Sequence, residues 1–242
     1  RLLTVRRFAL AMRAENDAYE VPAAGSFGQE AFTRCTPHIY TTDQIAALLQ
    51  AAAQLGPAGS MRAATYVTLL GLLAATGMRS CEALNLRLRD LTEDGLRVRE
   101  TKFRKSRLLP LHPTTRDALN RYLDRRLCLG STDPAVFVSR KGHALSYNTL
   151  EHVFLALARS CGLRAGPGRP GPRLHDLRHT FAVRSLEQCD PEPQAIKRHM
   201  VALSTYLGHA HVTDTYWYLH ATPGLMAQIG AAGESFYRGV AS

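Results

Sequence analysis

The sequence has 242 residues, of which 45% are hydrophobic and 21% are charged, a composition typical of a folded globular protein rather than a disordered chain. Its 30 lysines and arginines outnumber its 20 acidic residues, and the formal net charge of +10 favours a polyanionic partner such as nucleic acid. No apolar run approaches the roughly 18 residues that a membrane span requires, and no signal-peptide pattern opens the chain. We therefore expect a soluble protein without a membrane partner.

The first predicted element is an amphipathic helix over residues 1–15, with its apolar side chains on one stripe. So short a helix has nothing of its own to pack against, and residues 1–20 are interpreted as the end of a truncated N-terminal domain. A stretch containing glycine and proline, residues 21–37, is predicted to be a linker. Residues 38–242 are predicted to form the main domain.

Helices dominate the pattern of this main domain. Thr42 is predicted to cap the first of them, Gly77 to end the second, and Ser80 and Ser146 to cap two more. The predicted helices cover about 42–55, 61–76, 80–86, 113–127, 146–161, 175–188, 194–207, 213–219 and 225–237.

Strand periodicity replaces helical periodicity in one region. Residues 96–99 and 108–111 flank a charged turn and predict a hairpin, with 88–91 as a third strand. The sequence therefore predicts a mainly α fold with a small antiparallel β-sheet, in the α+β class.

The five cysteines are widely spaced and never form a C-x-x-C pair. This pattern predicts neither a disulfide framework nor a zinc ribbon, and it fits a reducing compartment, so we expect a cytoplasmic protein. The cysteines are Cys35, Cys81, Cys128, Cys161 and Cys189.

Arg79 lies in the turn between two predicted helices, where a side chain can point into a cleft. Glu82 follows near the start of the next helix, where the helix dipole alone favours a carboxylate. A solvated turn also explains both residues, so this segment by itself leaves a structural and a functional interpretation open.

A basic segment occupies the tip of the predicted hairpin. Hairpin tips are commonly charged because they are exposed to water, but a lysine there can also reach a phosphate or a DNA groove. The cations of this segment are Lys102, Arg104, Lys105 and Arg107.

His175 shares one helix face with Arg178 and His179, because positions three and four apart are neighbours on a helix. The segment differs by one residue from the zinc-peptidase pattern H-E-x-x-H, with Asp176 in place of glutamate. A fixed cation beside both histidines is unfavourable for a zinc ion. A zinc peptidase is therefore kept only as an alternative, and a capping or core role stays open for either histidine.

His209 follows the helix-ending Gly208, a position suited to a cleft, and an aromatic segment comes next. Tyr216 and Tyr218 lie about 200° apart around a helix axis, so the two side chains cannot face the same site. One of them is expected to belong to the core, and taken alone this segment is also typical of an aromatic core stripe.

Together, these four segments resemble the sequence blocks of the tyrosine recombinase (phage integrase) family. The blocks are A-T-G-x-R-x-x-E, K-x-x-K-x-R-x-x-P-L, H-x-L-R-H-T-F-A, and L-G-H followed by a tyrosine nine residues after its histidine. The resemblance covers about residues 42–219, implies the catalytic-domain fold of that family, and departs from it in a longer connection at 190–202. The matching residues are Ala75–Arg79 with Glu82, Lys102–Leu111, His175–Ala182, and His209 with Tyr218.

The resemblance implies site-specific cleavage and rejoining of DNA, in integration or transposition, through a covalent 3′-phosphotyrosine and without a metal or other cofactor. Tyr218, rather than Tyr216, would be the nucleophile and His175 its base. Lys102 would protonate the leaving 5′-oxygen.

The resemblance also implies which groups would hold the DNA. Arg79, Arg178 and His209 would bind the scissile phosphate, while Glu82 and Asp176 would orient the cationic side chains. Further contacts to double-stranded DNA would come from Arg104, Lys105, Arg107 and Arg173.

Domain organisation and partners follow from the same resemblance. Residues 1–20 would be the end of a core-binding (SAM-like) domain, and a helix at 225–237 would dock on a neighbouring protomer in a tetramer on DNA, with docking in cis as the alternative. Other functions that stay open are a type IB topoisomerase, a DNA-binding module without activity, and the zinc peptidase on His175 and His179.

Overall fold

The computed structural model describes residues 2–23, 36–57, 59–99, 106–166, 168–190 and 192–209, together with residues 211, 215 and 218. The chain divides into two compact units, Arg1–Thr36 and Pro37–Ser242. Of the predicted helices, 213–219 falls largely and 225–237 wholly outside the described residues. No helix in the described ranges is both long and apolar enough to cross a membrane.

The first unit contains helix α1 (Leu2–Glu15), which covers the residues that the periodicity predicts. The chain then turns so that Arg6 Nε donates a hydrogen bond to the Pro22 carbonyl oxygen at 3.1 Å. Val5 and Phe8 are 51% and 66% exposed. Among the described residues, these two side chains of the apolar stripe of α1 are therefore largely uncovered.

The second unit is mainly helical, and its described residues include a three-stranded antiparallel sheet, which confirms the predicted fold class. Its helices are α2 (Thr42–Ala53), α3 (Met61–Thr76), α4 (Ser80–Leu84), α5 (Pro113–Cys128), α6 (Tyr147–Ser160), α7 (Asp176–Glu187) and α8 (Pro193–Leu207). Its strands, in spatial order, are β1 (Leu91–Thr92), β2 (Gly95–Val98) and β3 (Arg107–Leu109). Leu96 in the central strand pairs with Leu91 and with Leu109.

Helix α3 lies at the centre of the larger core, which explains why it is apolar on nearly all sides. It packs against α2, α5 and α7 and buries Tyr66, Leu69, Leu70 and Leu73. Because α3 ends directly before the turn that carries Arg79, the core fixes the position of that turn.

A smaller apolar cluster joins α7 to α8. It contains residues from both helices and one tyrosine from the segment after α8, and this packing places that tyrosine against the two helices. The members are Ala182, Val183, Leu186, Ile196, Met200, Leu203, Leu207 and Tyr218.

Two helix caps lie one residue before their predicted positions. Thr41, not Thr42, caps α2, because its side chain accepts the Gln44 N–H in a capping box. Arg79, not Ser80, is the N-cap of α4, and the partner that holds it there is a carboxylate of the candidate site.

The strand predicted at 88–91 is for the most part a 3₁₀ turn, Leu88–Asp90, with β1 following it. The Asp90 carboxylate accepts the Arg87 N–H at 3.1 Å and so closes the turn. The long connection at 190–202 is largely the first part of α8, whose start is capped by the Glu192 side chain.

Candidate active site

The site begins where α3 ends, at Gly77, which has a left-handed φ of +59°. A Cβ at this position would lie 2.5 Å from Cδ1 of Phe181 on α7, so glycine permits both the turn and the close approach of the two helices. The Gly77 carbonyl oxygen accepts a hydrogen bond from Arg178 at 2.8 Å. The turn therefore brings the Arg79 backbone next to the helix that carries Arg178.

Glu82 binds two arginines at once. Its Oε1 accepts from Arg79 Nη1 at 2.9 Å, and its Oε2 accepts the Arg79 backbone N–H, also at 2.9 Å. Arg107 adds a bidentate pair, with Nη1 to Oε1 at 3.1 Å and Nη2 to Oε2 at 2.8 Å. The predicted orienting role of Glu82 toward a cation thus has a direct geometric basis in the structure.

Arg178 is 3% exposed and bonds to backbone carbonyls rather than to a carboxylate. Its Nη1 donates to Gly77 and its Nη2 donates to the Leu207 carbonyl oxygen, both at 2.8 Å. Arg79 Nη1 reaches the same Leu207 oxygen at 3.4 Å, and Arg79 Nη2 reaches the Gly208 oxygen at 3.3 Å. The two guanidinium groups therefore meet at one carbonyl oxygen at the end of α8.

The cluster has an excess of positive charge. Burial and then the charge of Arg79 lower the pKa of Arg178 to about 10, while the oxygens of Tyr218 and Glu82 act in the opposite direction. Burial alone raises the pKa of Glu82, but hydrogen bonds from Arg107 and Arg79 outweigh it and hold that pKa below its usual value. Near neutral pH the arginines are charged and Glu82 is ionised, so three cations face one carboxylate.

Asp176, at the start of α7, anchors Arg173. The buried carboxylate accepts the Arg173 backbone N–H at 2.8 Å and Nη2 at 2.9 Å, while the Arg173 side chain is 51% exposed. The carboxylate fixes the base of this arginine and leaves much of it open to solvent, which suits the predicted contact with DNA.

His175 is the N-cap of α7 and is exposed. Partial desolvation, followed by the charge of Arg178, lowers the pKa of His175. A lowered pKa keeps this imidazole neutral near neutral pH, and its causes are the local surroundings and the neighbouring cations.

The Tyr218 ring lies against two imidazoles. Its centroid is 5.4 Å from that of His179 and 6.0 Å from that of His209, and the His179 ring is in turn 4.8 Å from His175. His209 Nδ1 is 2.7 Å from Thr215 Oγ1, which fixes the imidazole beside the tyrosine. Tyr218 is 3% exposed, so this tyrosine is packed closely among the neighbouring side chains.

The structure differs from the sequence prediction at two residues. Arg107 was predicted at the DNA-facing tip, but its side chain is only 12% exposed and binds Glu82, an arrangement that does not favour contact with DNA. The sequence leaves zinc-ligand, capping and core roles open for His179 and assigns it no role toward DNA, yet its ring lies 5.4 Å from that of Tyr218. Its spacing of four from His175 was the signal that could have placed it in the site.

Four residues of the predicted site lie outside the described residues: Lys102, Arg104, Lys105 and the alternative tyrosine, Tyr216. Among the residues that the structure describes, no group of three or more His, Cys, Asp or Glu side chains is arranged to hold a metal ion. The zinc interpretation therefore has only the His175–His179 pair behind it.

A groove of about 590 Å³ extends from Glu82 along the 3₁₀ turn and β2. Four exposed arginines line it, against the acidic side chains of Glu82, Asp90 and Asp133. Such a cationic surface continuous with the site is suited to an extended polyanion. The arginines are Arg87, Arg89, Arg97 and Arg99.

The sequence matches the phage integrase family over residues 39–224. A Sinorhizobium fredii protein, y4rB, whose name assigns it to the integrases or recombinases, is 39% identical over 236 residues, which cover 94% of this chain and 75% of that protein. The tyrosine recombinase XerC of Pseudomonas fluorescens is 31% identical over 189 residues, which cover 77% of this chain and 57% of XerC.

Solved structures show the same similarity. The XerH site-specific recombinase bound to its difH substrate, in a pre-cleavage complex, is 26% identical with a TM-score of 0.59, over 76% of this chain and 50% of XerH. The XerA recombinase is 25% identical with a TM-score of 0.62, over 82% of this chain and 66% of XerA. The chain thus spans about half to three quarters of these relatives.

Proposed function

Because the chain belongs to the phage integrase family, we propose that it is a tyrosine recombinase that cleaves and rejoins duplex DNA at specific sites, in integration or transposition. The Tyr218 oxygen attacks the scissile phosphorus, the bond to the 5′-oxygen breaks, and a 3′-phosphotyrosine ester forms. The observation that carries the proposal is the meeting of Arg79 and Arg178 at the Leu207 carbonyl, next to the cluster that holds Tyr218.

Two guanidinium groups match the charge that develops in this reaction. A phosphodiester gains negative charge on its non-bridging oxygens during attack, and fixed cations stabilise that charge. Arg178 has five N–H donors, and its bonds to Gly77 and Leu207 use two of them, so others can bind phosphate oxygens. The side chain of Arg79, which is 26% exposed, supplies a second guanidinium group that can bind phosphate oxygens from the solvent side.

The nucleophile needs a base because a phenol is protonated near neutral pH. We assign this role to His175, whose lowered pKa keeps it able to accept a proton. His179, between His175 and Tyr218, positions the two rings, and His209 binds the phosphate. On the sequence resemblance, Lys102 gives the departing 5′-oxygen its proton.

The ester conserves the energy of the broken bond, so the free 5′-hydroxyl of another strand can attack it and rejoin the DNA without ATP. Duplex DNA is proposed to follow the arginine-lined groove beside Glu82 and the exposed side chain of Arg173. Arg104 and Lys105 at the hairpin tip are assigned to the same duplex. Assembly as a tetramer on DNA through a helix at 225–237 belongs to the same proposal.

Covalent trapping tests the proposal. The substrate is a pool of duplexes with a randomised core, nicked so that the short fragment released by cleavage diffuses away, and labelled at the 5′ end of the cleaved strand. We expect an SDS-resistant protein–DNA adduct that also forms in EDTA. The Tyr216→Phe variant should form it and the Tyr218→Phe variant should not.

The same experiment separates the alternative functions. Sequencing of the trapped strands should show a shared core sequence, whereas a type IB topoisomerase would trap unrelated sequences. A DNA-binding module would shift the duplex without forming an adduct, and activity through a zinc ion would be lost in EDTA. An adduct that survives Tyr218→Phe would overturn the assignment of the nucleophile.

A further inference from the structure

We propose that Arg107 is a positioning residue: it shares the Glu82 carboxylate with Arg79, so that Glu82 orients Arg79 without neutralising it, and Arg79 stays available to the scissile phosphate. The inference rests on the proposed function, since it names a residue that acts on the phosphate through two others. It also replaces the expectation that Arg107 contacts DNA.

The geometry of Arg107 is that of a brace between three parts of the fold. Both terminal nitrogens bind Glu82 of α4, at 3.1 and 2.8 Å, and Nε donates to the Tyr206 carbonyl oxygen in α8 at 2.8 Å. Because its side chain is only 12% exposed and all three of its nitrogens donate hydrogen bonds to protein oxygens, Arg107 points into the protein rather than toward solvent. One residue of β3 thus connects α4, which Arg79 caps, to α8, whose end both site arginines contact.

The guanidinium group of Arg107 is packed closely against the backbone at the end of α8. Gly208, which ends α8 with a left-handed φ of +69°, would place a Cβ 2.7 Å from Arg107 Nη1 and 3.1 Å from its Cζ. The neighbouring oxygens of Leu207 and Gly208 are those that Arg79 reaches. The position of Arg107 is therefore coupled to the backbone on which the phosphate-binding arginines rest.

Charge explains why a second arginine is needed. A carboxylate paired only with Arg79 would cancel its charge and compete with the phosphate for its N–H donors. Sharing the carboxylate between two guanidinium groups leaves this trio with a net charge of +1, next to the buried Arg178. Lysine would keep the charge of Arg107 but could not make the bidentate pair and the Tyr206 bond together.

The test measures two quantities on the trapped-adduct substrate: the rate of adduct formation at saturating DNA in a single turnover, and the Kd for the intact duplex. We expect Arg107→Gln to slow adduct formation about 10–100-fold, by analogy with the loss seen when the groups that orient metal ligands are removed, with the Kd changed less than about 3-fold. Arg107→Lys should fall between that variant and wild type. All rates are compared at a temperature at which thermal unfolding curves show each variant to be folded. If Arg107→Gln does not fold, Arg107→Lys is tested alone. In that case a rate of adduct formation equal to that of wild type overturns the proposal.

Arg116→Gln is the matched control, because Arg116 is also partly buried and bonds a sheet carbonyl, that of Thr92 at 3.1 Å. Its rate should stay near that of wild type. An equal loss in this control would overturn the proposal, because the loss would then report charge or packing in general.

The decisive variant combines Arg107→Gln with Glu82→Gln. Removing the carboxylate that Arg107 offsets should release Arg79, so the double variant should cleave several-fold faster than Arg107→Gln. If Arg107 only stabilises the fold, the double variant should cleave no faster than Arg107→Gln, and that result refutes the inference. A rate for Arg107→Gln within 3-fold of wild type refutes it as well. If wild type forms no adduct at all, the proposed function fails, and the two failures are thus distinguishable.

Discussion

Replacing Gly77 with alanine tests how closely the end of α3 is packed against α7. The left-handed φ of +59° costs an alanine about 1 kcal/mol relative to glycine. The added Cβ would also meet Phe181 at 2.5 Å, and overpacking of this kind costs about 1–3 kcal/mol. We expect Gly77→Ala to lower the free energy of unfolding by about 2–4 kcal/mol, or roughly 4–16 °C in Tm for a domain of this size.

Gly130→Ala separates strain from collision. Gly130 also has a left-handed φ, +63°, but none of the described atoms lies within 4 Å of its Cβ position, so this variant carries the strain alone, about 1 kcal/mol. Urea unfolding followed by circular dichroism measures both, with the m value unchanged. Because the Gly77 carbonyl holds Arg178, Gly77→Ala should also slow adduct formation, and Gly130→Ala should not. Equal destabilisation of the two variants would refute the packing argument.

Three further predictions concern charge in the site. The pKa of Glu82 lies below its ordinary value of 4.5, so the ionised carboxylate contributes fully to stability above pH 4.5 and this contribution is lost as the pH falls through the lowered pKa. In urea titrations, the difference in free energy of unfolding between wild type and Glu82→Gln should therefore shrink at acidic pH. Burial, followed by the charge of His175, lowers the pKa of His179 from 6.5 to about 4. As the pH falls, the unfolded chain therefore takes up this proton before the folded protein does. The free energy of unfolding should decrease between pH 6.5 and pH 4, by up to about 1.4 kcal/mol per pH unit. His179→Asn should remove this part of the pH dependence, and an unchanged slope would contradict the assignment. Arg178→Lys keeps the charge but cannot hold the Gly77 and Leu207 carbonyls and a phosphate together, so adduct formation should fall on the order of 100–1,000-fold, and a rate near that of wild type would speak against the predicted contact.

Local signals in the sequence were sufficient for the helical framework around the site. Helix α3 has the predicted bounds, because Gly77 stops an otherwise continuous apolar run, and Ser146 caps α6 through the Thr149 N–H as predicted. The pairing of Arg79 with Glu82 is also local, since the two residues lie three apart around the start of α4. Such features depend on neighbouring residues alone.

Contacts between distant segments were beyond the reach of local patterns. Nothing around Arg107 indicates that it turns inward to a carboxylate 25 residues earlier, because a hairpin tip is charged whether it meets water, DNA or protein. The contact between His179 and Tyr218 likewise depends on how the segment after α8 returns to α7. The 3₁₀ turn at Leu88–Asp90 is a different case, because the bond that closes it is local: the Asp90 carboxylate accepts the N–H of Arg87, three residues earlier.

The central claim is that Arg79 and Arg178 bind one phosphate within reach of the oxygen of Tyr218. A crystal structure of the Tyr218→Phe variant on an uncleaved duplex, with the core sequence recovered from the trapped strands, measures this directly. We predict both guanidinium groups within about 3 Å of the non-bridging oxygens of a single phosphate, with the ring at position 218 facing its phosphorus opposite the 5′-oxygen. Guanidinium groups bound to different phosphates, or a scissile phosphate that neither arginine touches, would contradict the claim.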